Sequence, residues 1–331
     1  MALAADSYQY TPPKHIKAME ADLAMMPLLW GGEDDAVLSF SDLDEKDGWN
    51  GYVQQFDDRE PLELKVWGWN KALRNRLIHF GCPLSLLPSE MELEEWRRMA
   101  SREYAVKYAC RFYENWQKED VLVDNRMSFC CDEHDLNGWI GRNGYPFVTK
   151  TPYSSSGRGL HIIKGEDDDV SKLGQNFLID RFYEKVMDFA MEFCVDEEKV
   201  DYLGLSVFEA SKEGKYAFNY VKSQSALRDM LLEKEISDAN LAEIRNAHLC
   251  ILKMLLVGHY KGIVGIDMMI VKNGDSMLIH SCVELNLRMN MGVVAMKLYE
   301  KGIDRIDVSD NRDKHFFPRL ENGTFFIEHR R

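Results

Sequence analysis

The sequence predicts a protein of the α+β class, with an α/β start and mostly antiparallel sheet in its later half. Its 331 residues are 45% apolar and 29% charged, which is enough to build a large core in two or three lobes. Apolar residues alternate with polar or small ones over residues 187–195, the two-residue period of a strand buried on one face. Two further apolar runs, residues 263–271 and 277–285, flank Asn273 and Gly274, a pair typical of a hairpin turn.

The first hundred residues predict a small α/β lobe. Short strands are expected over residues 36–40 and 62–67. Residues 70–80 carry apolar side chains at helical spacing and are followed by Gly81, a typical helix stop. The apolar run over residues 82–87 then predicts another strand.

Two helices and a strand meander are expected after this lobe. Ser89 and Glu92 have the spacing of a capping box, which predicts a helix through Met99. Ser101 can cap a second helix, whose aromatic residues share one stripe: Tyr104, Tyr108, Phe112 and Trp116. Two strands that continue the meander and one long helix are expected over residues 202–210, 216–221 and 241–255.

The charge balance limits the partners of this protein. There are 55 acidic and 41 basic residues, a formal charge of −14, so the surface repels nucleic acid and anionic membranes unless a local basic cleft intervenes. The cysteines are odd in number, seven, and scattered, which indicates reduced thiols in a cytoplasmic protein. No membrane span is expected, because the most apolar window, residues 249–271, contains two lysines and a histidine.

A run of small residues follows a strand that ends in Lys150. The run is Ser154, Ser155, Ser156, Gly157, Arg158 and Gly159. Its backbone N–H groups can curl around phosphate oxygens, while Lys150 and Arg158 supply positive charge. The alternative is an ordinary hairpin loop, since Gly/Ser turns are common.

Four polar residues lie within two apolar strands near the C-terminal end: Asp267, Glu284, Asn286 and Arg288. A carboxylate inside an apolar strand is costly unless something pairs with it. Asp267, Glu284 and the amide oxygen of Asn286 form an all-oxygen set suited to magnesium. The alternative is a solvated strand face on which Arg288 neutralises Glu284.

The magnesium prediction depends on the register of the hairpin. A two-residue turn at Asn273 and Gly274 would place Asp267 opposite His280, too far from Glu284 to share a metal ion. The metal site therefore requires a wider loop, with Asp267 nearly opposite Glu284.

The order of these motifs resembles that of the ATP-grasp enzymes: a strand lysine, a small-residue loop, an acid ending a strand, and a distal Asp followed by Glu-x-Asn-x-Arg. The resemblance covers residues 101–292. It implies two α+β subdomains that grip ATP, residues 101–178 and 179–331. Residues 1–100, with the Trp67-Gly68-Trp69 segment, resemble the Rossmann-like domain that usually precedes the grasp.

The resemblance also implies nucleotide-binding residues. Lys150 and the loop of residues 154–159 resemble the groups that contact and cover the nucleotide phosphates. Asp180 resembles the acid at the strand end that holds adenine and ribose, with Glu184 as the alternative. A basic residue that opens the central subdomain is expected at Arg102 or Lys107, and Arg102 is preferred.

The remaining implied roles concern the metal and the reaction. Asp267, Glu284 and Asn286 resemble the magnesium ligands, and Arg288 resembles the arginine that steadies the acyl phosphate or the substrate carboxylate. Arg288 and Lys150 are thus the expected catalytic residues.

The resemblance implies an ATP- and Mg²⁺-dependent ligase that activates a carboxylate as an acyl phosphate for attack by an amine, forming ADP. The expected partners are ATP, a small-molecule or peptide carboxylate and an amine; a homodimer is one expected assembly. The alternatives are a phosphotransferase on the same fold and a nucleotide-binding regulator without turnover.

Overall fold

The computed structural model describes residues 6–32, 35–37, 63–116, 127–153, 159–211, 214–306 and 316–329. Helices α1 to α8 are Lys14–Asp22, Lys71–His79, Glu90–Met99, Arg102–Asn115, Glu133–Asn143, Gln224–Leu232, Asp238–Leu256 and Met291–Glu300. Strands β1 to β7 are Ser128–Cys130, Phe147–Lys150, Leu160–Ile163, Phe177–Arg181, Glu184–Val195, Val200–Ala210 and Tyr216–Tyr220. Strands β8 to β11 are Gly262–Asn273, Ser276–Asn286, Phe316–Glu321 and Thr324–His329.

A small antiparallel sheet has the strand order β1-β4-β2-β3. Its core joins the sheet to α5, because Trp139 on that helix packs edge-on against Phe147 on β2. Both side chains are buried. The sheet holds Lys150 at one strand end and Asp180 near another.

A larger antiparallel sheet has the order β10-β11-β7-β6-β5-β8-β9. Phe189, Met191 and Phe193 alternate along β5 and enter the main core together with residues of α4 and α7. The even-numbered side chains between them point to the opposite face. The predicted mixture of helices and antiparallel sheet, with the meander β5-β6-β7, is confirmed.

The two helices that link the first part of the chain to the small sheet begin at serine caps. Ser89 and Glu92 form the predicted capping box of α3. The Ser101 side chain accepts from the backbone N–H of Tyr104 and caps α4, whose buried stripe contains Tyr104, Tyr108 and Phe112. This cap fixes where α4 starts, and so where Arg102, its first residue, lies.

The N-terminal lobe differs from its prediction. The apolar run at residues 82–87 is a 3₁₀ turn at Leu84–Leu86, not a strand. Pro83 has no N–H to donate to a sheet, and Leu84 is exposed, so the run does not serve as a half-buried strand. Residues 63–67 are not a strand either.

The Rossmann-like lobe is not confirmed, because within residues 6–32, 35–37 and 63–100 the structure has helices and turns but no strand. Most of the strand predicted over residues 36–40 lies outside the described residues. The predicted domain boundaries stay predictions. Within the described part of the chain, no helix is both long and apolar enough to cross a bilayer.

Candidate active site

The β8–β9 hairpin brings Asp267 directly opposite Glu284. The turn itself is tight, since Asn273 pairs with Ser276. An irregularity between Asp267 and Met269 shifts the register, so that Met269 faces His280 while Asp267 faces Glu284. The predicted pairing is therefore confirmed, but the predicted reason, a wider loop, was wrong. The two-residue turn lies at Gly274 and Asp275, one residue later than predicted, and a bulge shifts the register further.

Asn286 and Arg288 extend this polar face. Asn286 Nδ2 donates to Asp267 Oδ2 at 3.0 Å, and Asn286 Oδ1 accepts from an Arg288 terminal nitrogen at 2.8 Å. The other terminal nitrogen of Arg288 donates to the Met289 carbonyl at 3.1 Å. The side chains of Asp267, Asn286 and Arg288 thus form one connected chain of hydrogen bonds.

Glu284 forms an ion pair with Arg102, at 2.5 Å. The Arg102 side chain is 9% exposed, and its backbone N–H donates to the Pro152 carbonyl at 3.0 Å. Lys107, the alternative candidate, pairs with Glu103 and is 62% exposed. Of these two candidates, Arg102 lies beside the carboxylates, because it occupies the buried start of α4 while Lys107 is exposed.

Lys150 lies at the end of β2, close to the same charges. Burial, followed by repulsion from Arg102, lowers its pKa, while Glu284, Asp180 and Asp267 act in the opposite direction. Lys150, on the small sheet, therefore lies near the acidic pair on the large sheet, Asp267 and Glu284.

The base of the small-residue loop closes next to Lys150. The Thr151 N–H donates to the Gly159 carbonyl at 3.1 Å. Gly159 has a φ of +67°, and a Cβ there would lie 2.5 Å from Thr151 Oγ1, so a glycine suits this position. The other predicted loop residues, Ser154, Ser155, Ser156, Gly157 and Arg158, lie outside the described residues.

Asp180 is buried and connects the two sheets. His280 Nε2 lies 2.8 Å from Asp180 Oδ2, and the Arg181 N–H donates to Asp180 Oδ1 at 2.8 Å. Glu184, the alternative, is exposed and lies 3.9 Å from Lys272. Asp180 is the one of the two that shares the surroundings of Lys150.

The sequence did not assign His280 to the site. The sequence offered one indication: His280 is an even number of residues from both Glu284 and Asn286 on one strand, so the three side chains are expected on the same face. A second contact had no signal at all. The Met289 N–H donates to the Trp67 carbonyl at 2.7 Å, and a Cβ on Gly68 would lie 3.1 Å from the Arg288 Cβ. The N-terminal part of the chain therefore reaches Arg288.

The two carboxylates of the hairpin differ in proton affinity. Burial, and then the nearby Glu284 and Glu192, raise the pKa of Asp267 to about 8. Burial alone would raise the pKa of Glu284 as well, but Arg102, Lys150 and Arg288 hold it below its usual value. Burial thus makes an unneutralised carboxylate at Asp267 unfavourable, which favours a proton or a cation there.

The donor set fits magnesium chemically. Asp267, Glu284 and Asn286 offer hard oxygen atoms, and a divalent cation would neutralise the buried Asp267 carboxylate in place of a proton. Among the described residues, no three His, Cys, Asp or Glu side chains gather at one point. A magnesium ion held here would therefore also need amide, water or phosphate oxygens.

A cavity of about 200 Å³ lies elsewhere, between β1 and α5. It is lined partly by Phe129, Cys130, His134 and Trp139. None of the predicted site residues that the structure describes borders it.

Comparison with known proteins gave matches among solved structures only. No protein-family model matches the chain, and no curated protein does. N5-carboxyaminoimidazole synthetase from Staphylococcus aureus, complexed with ADP, is 14% identical with a TM-score of 0.41, over 61% of this chain and 52% of that one. Biotin carboxylase from Campylobacter jejuni, in a β-γ-ATP complex, is 12% identical with a TM-score of 0.46, over 64% of this chain and 47% of that one.

A third match is the biotin carboxylase domain dimer of Hydrogenobacter thermophilus 2-oxoglutarate carboxylase, in complex with MgADP, ADP and bicarbonate. It is 14% identical with a TM-score of 0.43, over 66% of this chain and 48% of that one. The matched region therefore spans about half the length of these proteins. They are ATP-grasp structures, the family that the sequence motifs resemble.

Proposed function

We propose that this chain is an ATP- and magnesium-dependent ligase that activates a carboxylate as an acyl phosphate for attack by an amine, forming ADP. One observation carries the proposal. Arg102 at the start of α4, Lys150 at the end of β2 and Arg288 just after β9 lie around the paired carboxylates of Asp267 and Glu284. In a chain with a formal charge of −14, such a local gathering of cations suits an anionic ligand.

The proposed reaction has two steps that these residues can serve. The γ-phosphoryl group passes from ATP to a carboxylate oxygen; the bond to ADP breaks and an acyl phosphate forms. The amine nitrogen then attacks the carbonyl carbon, the bond to phosphate breaks, and inorganic phosphate and a proton leave. No covalent bond to the protein is needed.

The cationic side chains would hold anions that otherwise repel one another. Lys150 and Arg102 would contact the nucleotide phosphates, while Arg288 would hold the substrate carboxylate and the acyl phosphate made from it. Asp180, fixed by His280, would hold the nucleoside end. Loop residues 154–159 would cover the phosphates and exclude water.

Asp267, Glu284 and Asn286 would hold magnesium. When bound, the ion would neutralise charge on the transferring phosphoryl group. In the structure, Asn286 Oδ1 accepts from Arg288 and Glu284 pairs with Arg102, so both contacts would give way to the ligand. The seven free cysteines fit the proposed cytoplasmic location.

The test is ADP release from MgATP with pools of small carboxylates and amines. The proposal expects release that requires both a carboxylate and an amine, together with equimolar inorganic phosphate. A phosphorylated alcohol as product would favour the phosphotransferase. Binding of MgATP without ADP release from any pool would favour the regulator.

The variant Glu284→Gln tests the metal assignment within this assay. It removes one ligand charge while keeping the size of the side chain, so we expect loss of turnover with the fold retained by circular dichroism. Glu103→Gln is the matched control, because the Glu103 side chain is exposed and pairs with exposed Lys107. Unchanged turnover in Glu284→Gln would contradict the assignment.

A further inference from the structure

A third carboxylate, Glu192 on β5, lies on the same face of the large sheet as the acidic pair. Glu192 pairs with Gly265 of β8, and Ala190, two residues earlier, pairs with Asp267. Side chains two residues apart on a strand share a face, so Glu192 and Asp267 are neighbours. Glu192 is 1% exposed. It has no role in the proposed reaction.

Glu192 accepts hydrogen bonds from two other elements. Ser206 Oγ, on β6, donates to Glu192 Oε1 at 3.0 Å. Asn290 Nδ2, just before α8, donates to Glu192 Oε2 at 2.7 Å. Both donors are buried, so the three side chains form a polar cluster that water does not reach. Such a cluster fixes the elements it joins.

Asn290 links the hydrogen-bonded cluster to the start of α8. Its Oδ1 accepts from the Val293 N–H at 3.0 Å, so the same side chain caps the helix and donates to Glu192. Arg288 lies midway between Asn286, which ends β9, and Asn290. Because both ends of this short segment are held, the direction of the Arg288 side chain is held as well.

Two glycines leave room for the cluster. A Cβ on Gly265 would lie 2.7 Å from Glu192 Oε2 and 2.5 Å from Asn290 Nδ2. A Cβ on Gly292 would collide with Glu192 Oε1 and Ser206 Oγ. The approach of β8 and α8 to Glu192 therefore depends on two positions without side chains.

We propose that Glu192 is a positioning residue that holds Asn290, and through it Arg288, in place for the acyl phosphate. This inference rests on the proposed function. Glu192 acts through other residues and does not contact substrate. Its contribution is the geometry of the hydrogen bonds, since a displacement of about 1 Å in a catalytic group can cost roughly 100-fold in rate.

The experiment compares Glu192→Ala, Glu192→Gln and Asn290→Ser. Asn290→Ser keeps a helix cap and loses the reach to Glu192. Gln can still accept from Asn290 and can donate to Ser206, so Glu192→Gln is the conservative rescue. Ser237→Ala, which removes the exposed cap of α7 away from the site, is the control for lost stability. The measurements are kcat for ADP release and KM for MgATP.

We expect Glu192→Ala and Asn290→Ser to lower kcat by at least ~10-fold with KM for MgATP within ~2-fold, because Lys150 and Arg102 stay in place. Glu192→Gln should recover most of that kcat, and Ser237→Ala should change neither constant. An unchanged kcat in Glu192→Ala would overturn the inference. So would a Gln variant as slow as Ala, because Gln keeps the size and the hydrogen bonds of Glu192 and lacks only its charge.

The two proposals fail separately. If the wild-type protein releases no ADP with any pool, the ligase proposal fails, and the inference is judged by hydrogen exchange of the amides at residues 288–293. Faster exchange there in Glu192→Ala and Asn290→Ser, reversed in Glu192→Gln, would support the positioning role. Exchange equal to that of the wild-type protein would overturn it.

Discussion

Charged and polar residues at the site pair with one another. Arg102 binds Glu284, Arg288 binds Asn286, and Asp180 contacts His280. Each pair removes the cost of a buried charge or polar group, since an uncompensated charge away from water is expensive. A nucleotide with magnesium would have to replace these contacts with its own. The specificity of the site thus depends on ligand groups that match both signs of charge.

Arg102 and Lys107 provide a matched comparison at the residue scale. Arg102→Ala removes a buried cation beside the carboxylates, so we expect the affinity for MgATP to fall at least ~10-fold, about 1.4 kcal/mol. Lys107→Ala removes an exposed cation bound to Glu103 and should leave affinity unchanged. Isothermal titration calorimetry measures both. Equal losses would contradict the placement of Arg102 at the phosphates.

Glu192 should make stability depend on pH. Burial raises its pKa from 4.5 to about 7, against the hydrogen bonds from Asn290 and Ser206. The folded state therefore holds the proton more tightly than the unfolded state. Its contribution to stability is greatest below pH 4.5 and is lost as the pH rises through 7.

Glu192→Gln removes this titration. We therefore expect the difference in unfolding free energy, variant minus wild type, to be about 3 kcal/mol larger at pH 8 than at pH 4. Urea denaturation at both pH values measures the difference. A free-energy difference that is the same at both pH values would show that Glu192 has an ordinary pKa in the folded protein.

At the scale of elements, the β8–β9 hairpin and α8 define the geometry of the site. The hairpin sets Asp267 against Glu284 by a bulge, and α8 approaches the same face of the sheet through Gly292. Bulges and glycines permit close approaches that regular strands and larger residues would prevent. Local irregularity is therefore what brings the polar groups together.

A comparison of Gly292 with Gly141 distinguishes the effect of close packing on stability from that of helix propensity. Both lie in helices, but a Cβ on Gly292 would meet Glu192 and Ser206, whereas one on Gly141 would meet nothing within 4 Å. We expect Gly292→Ala to destabilise the protein by about 2 kcal/mol or more through overpacking. Gly141→Ala should stabilise it by about 0.5–1 kcal/mol. Thermal unfolding of both variants checks this; a stabilised Gly292→Ala would contradict the contact.

At the scale of the whole molecule, the site lies where the two sheets meet. Asp180 belongs to the small sheet and His280 to the large one, while Arg102 on α4 reaches Glu284 on β9. Lys150 from the small sheet faces the acidic pair on the large sheet. A ligand bound among these residues would therefore link parts of the molecule that are far apart in sequence.

MgADP should stabilise the folded protein through this link. At 100 times its Kd, a ligand that binds only the folded state adds about 2.7 kcal/mol. We expect Lys150→Ala to reduce the thermal shift produced by MgADP, because it weakens phosphate binding. Lys164→Ala is the control, since Lys164 is an exposed lysine just after β3. Equal thermal shifts in the two variants would show that Lys150 does not contribute to nucleotide binding.

The sequence by itself determined the elements with strong local signals. The capping box at Ser89, the cap at Ser101 and the alternation along β5 depend on neighbouring residues, so they could be predicted from spacing alone. The pairing of Asp267 with Glu284 was also predicted, although for the wrong reason. Residues 82–87 failed because a short apolar run looks the same whether it forms a strand or a turn.

Only the tertiary structure decided which polar residues meet. It placed Arg102 rather than Lys107, and Asp180 rather than Glu184, at the site. It also made the contacts of His280, Glu192 and Trp67. These contacts join residues up to 222 positions apart, as Trp67 and Met289 are. Spacing along the chain carries no information about such contacts. They follow from the bulge register, the helix caps and the packing of α4 against strands of both sheets, which form only when the whole chain folds.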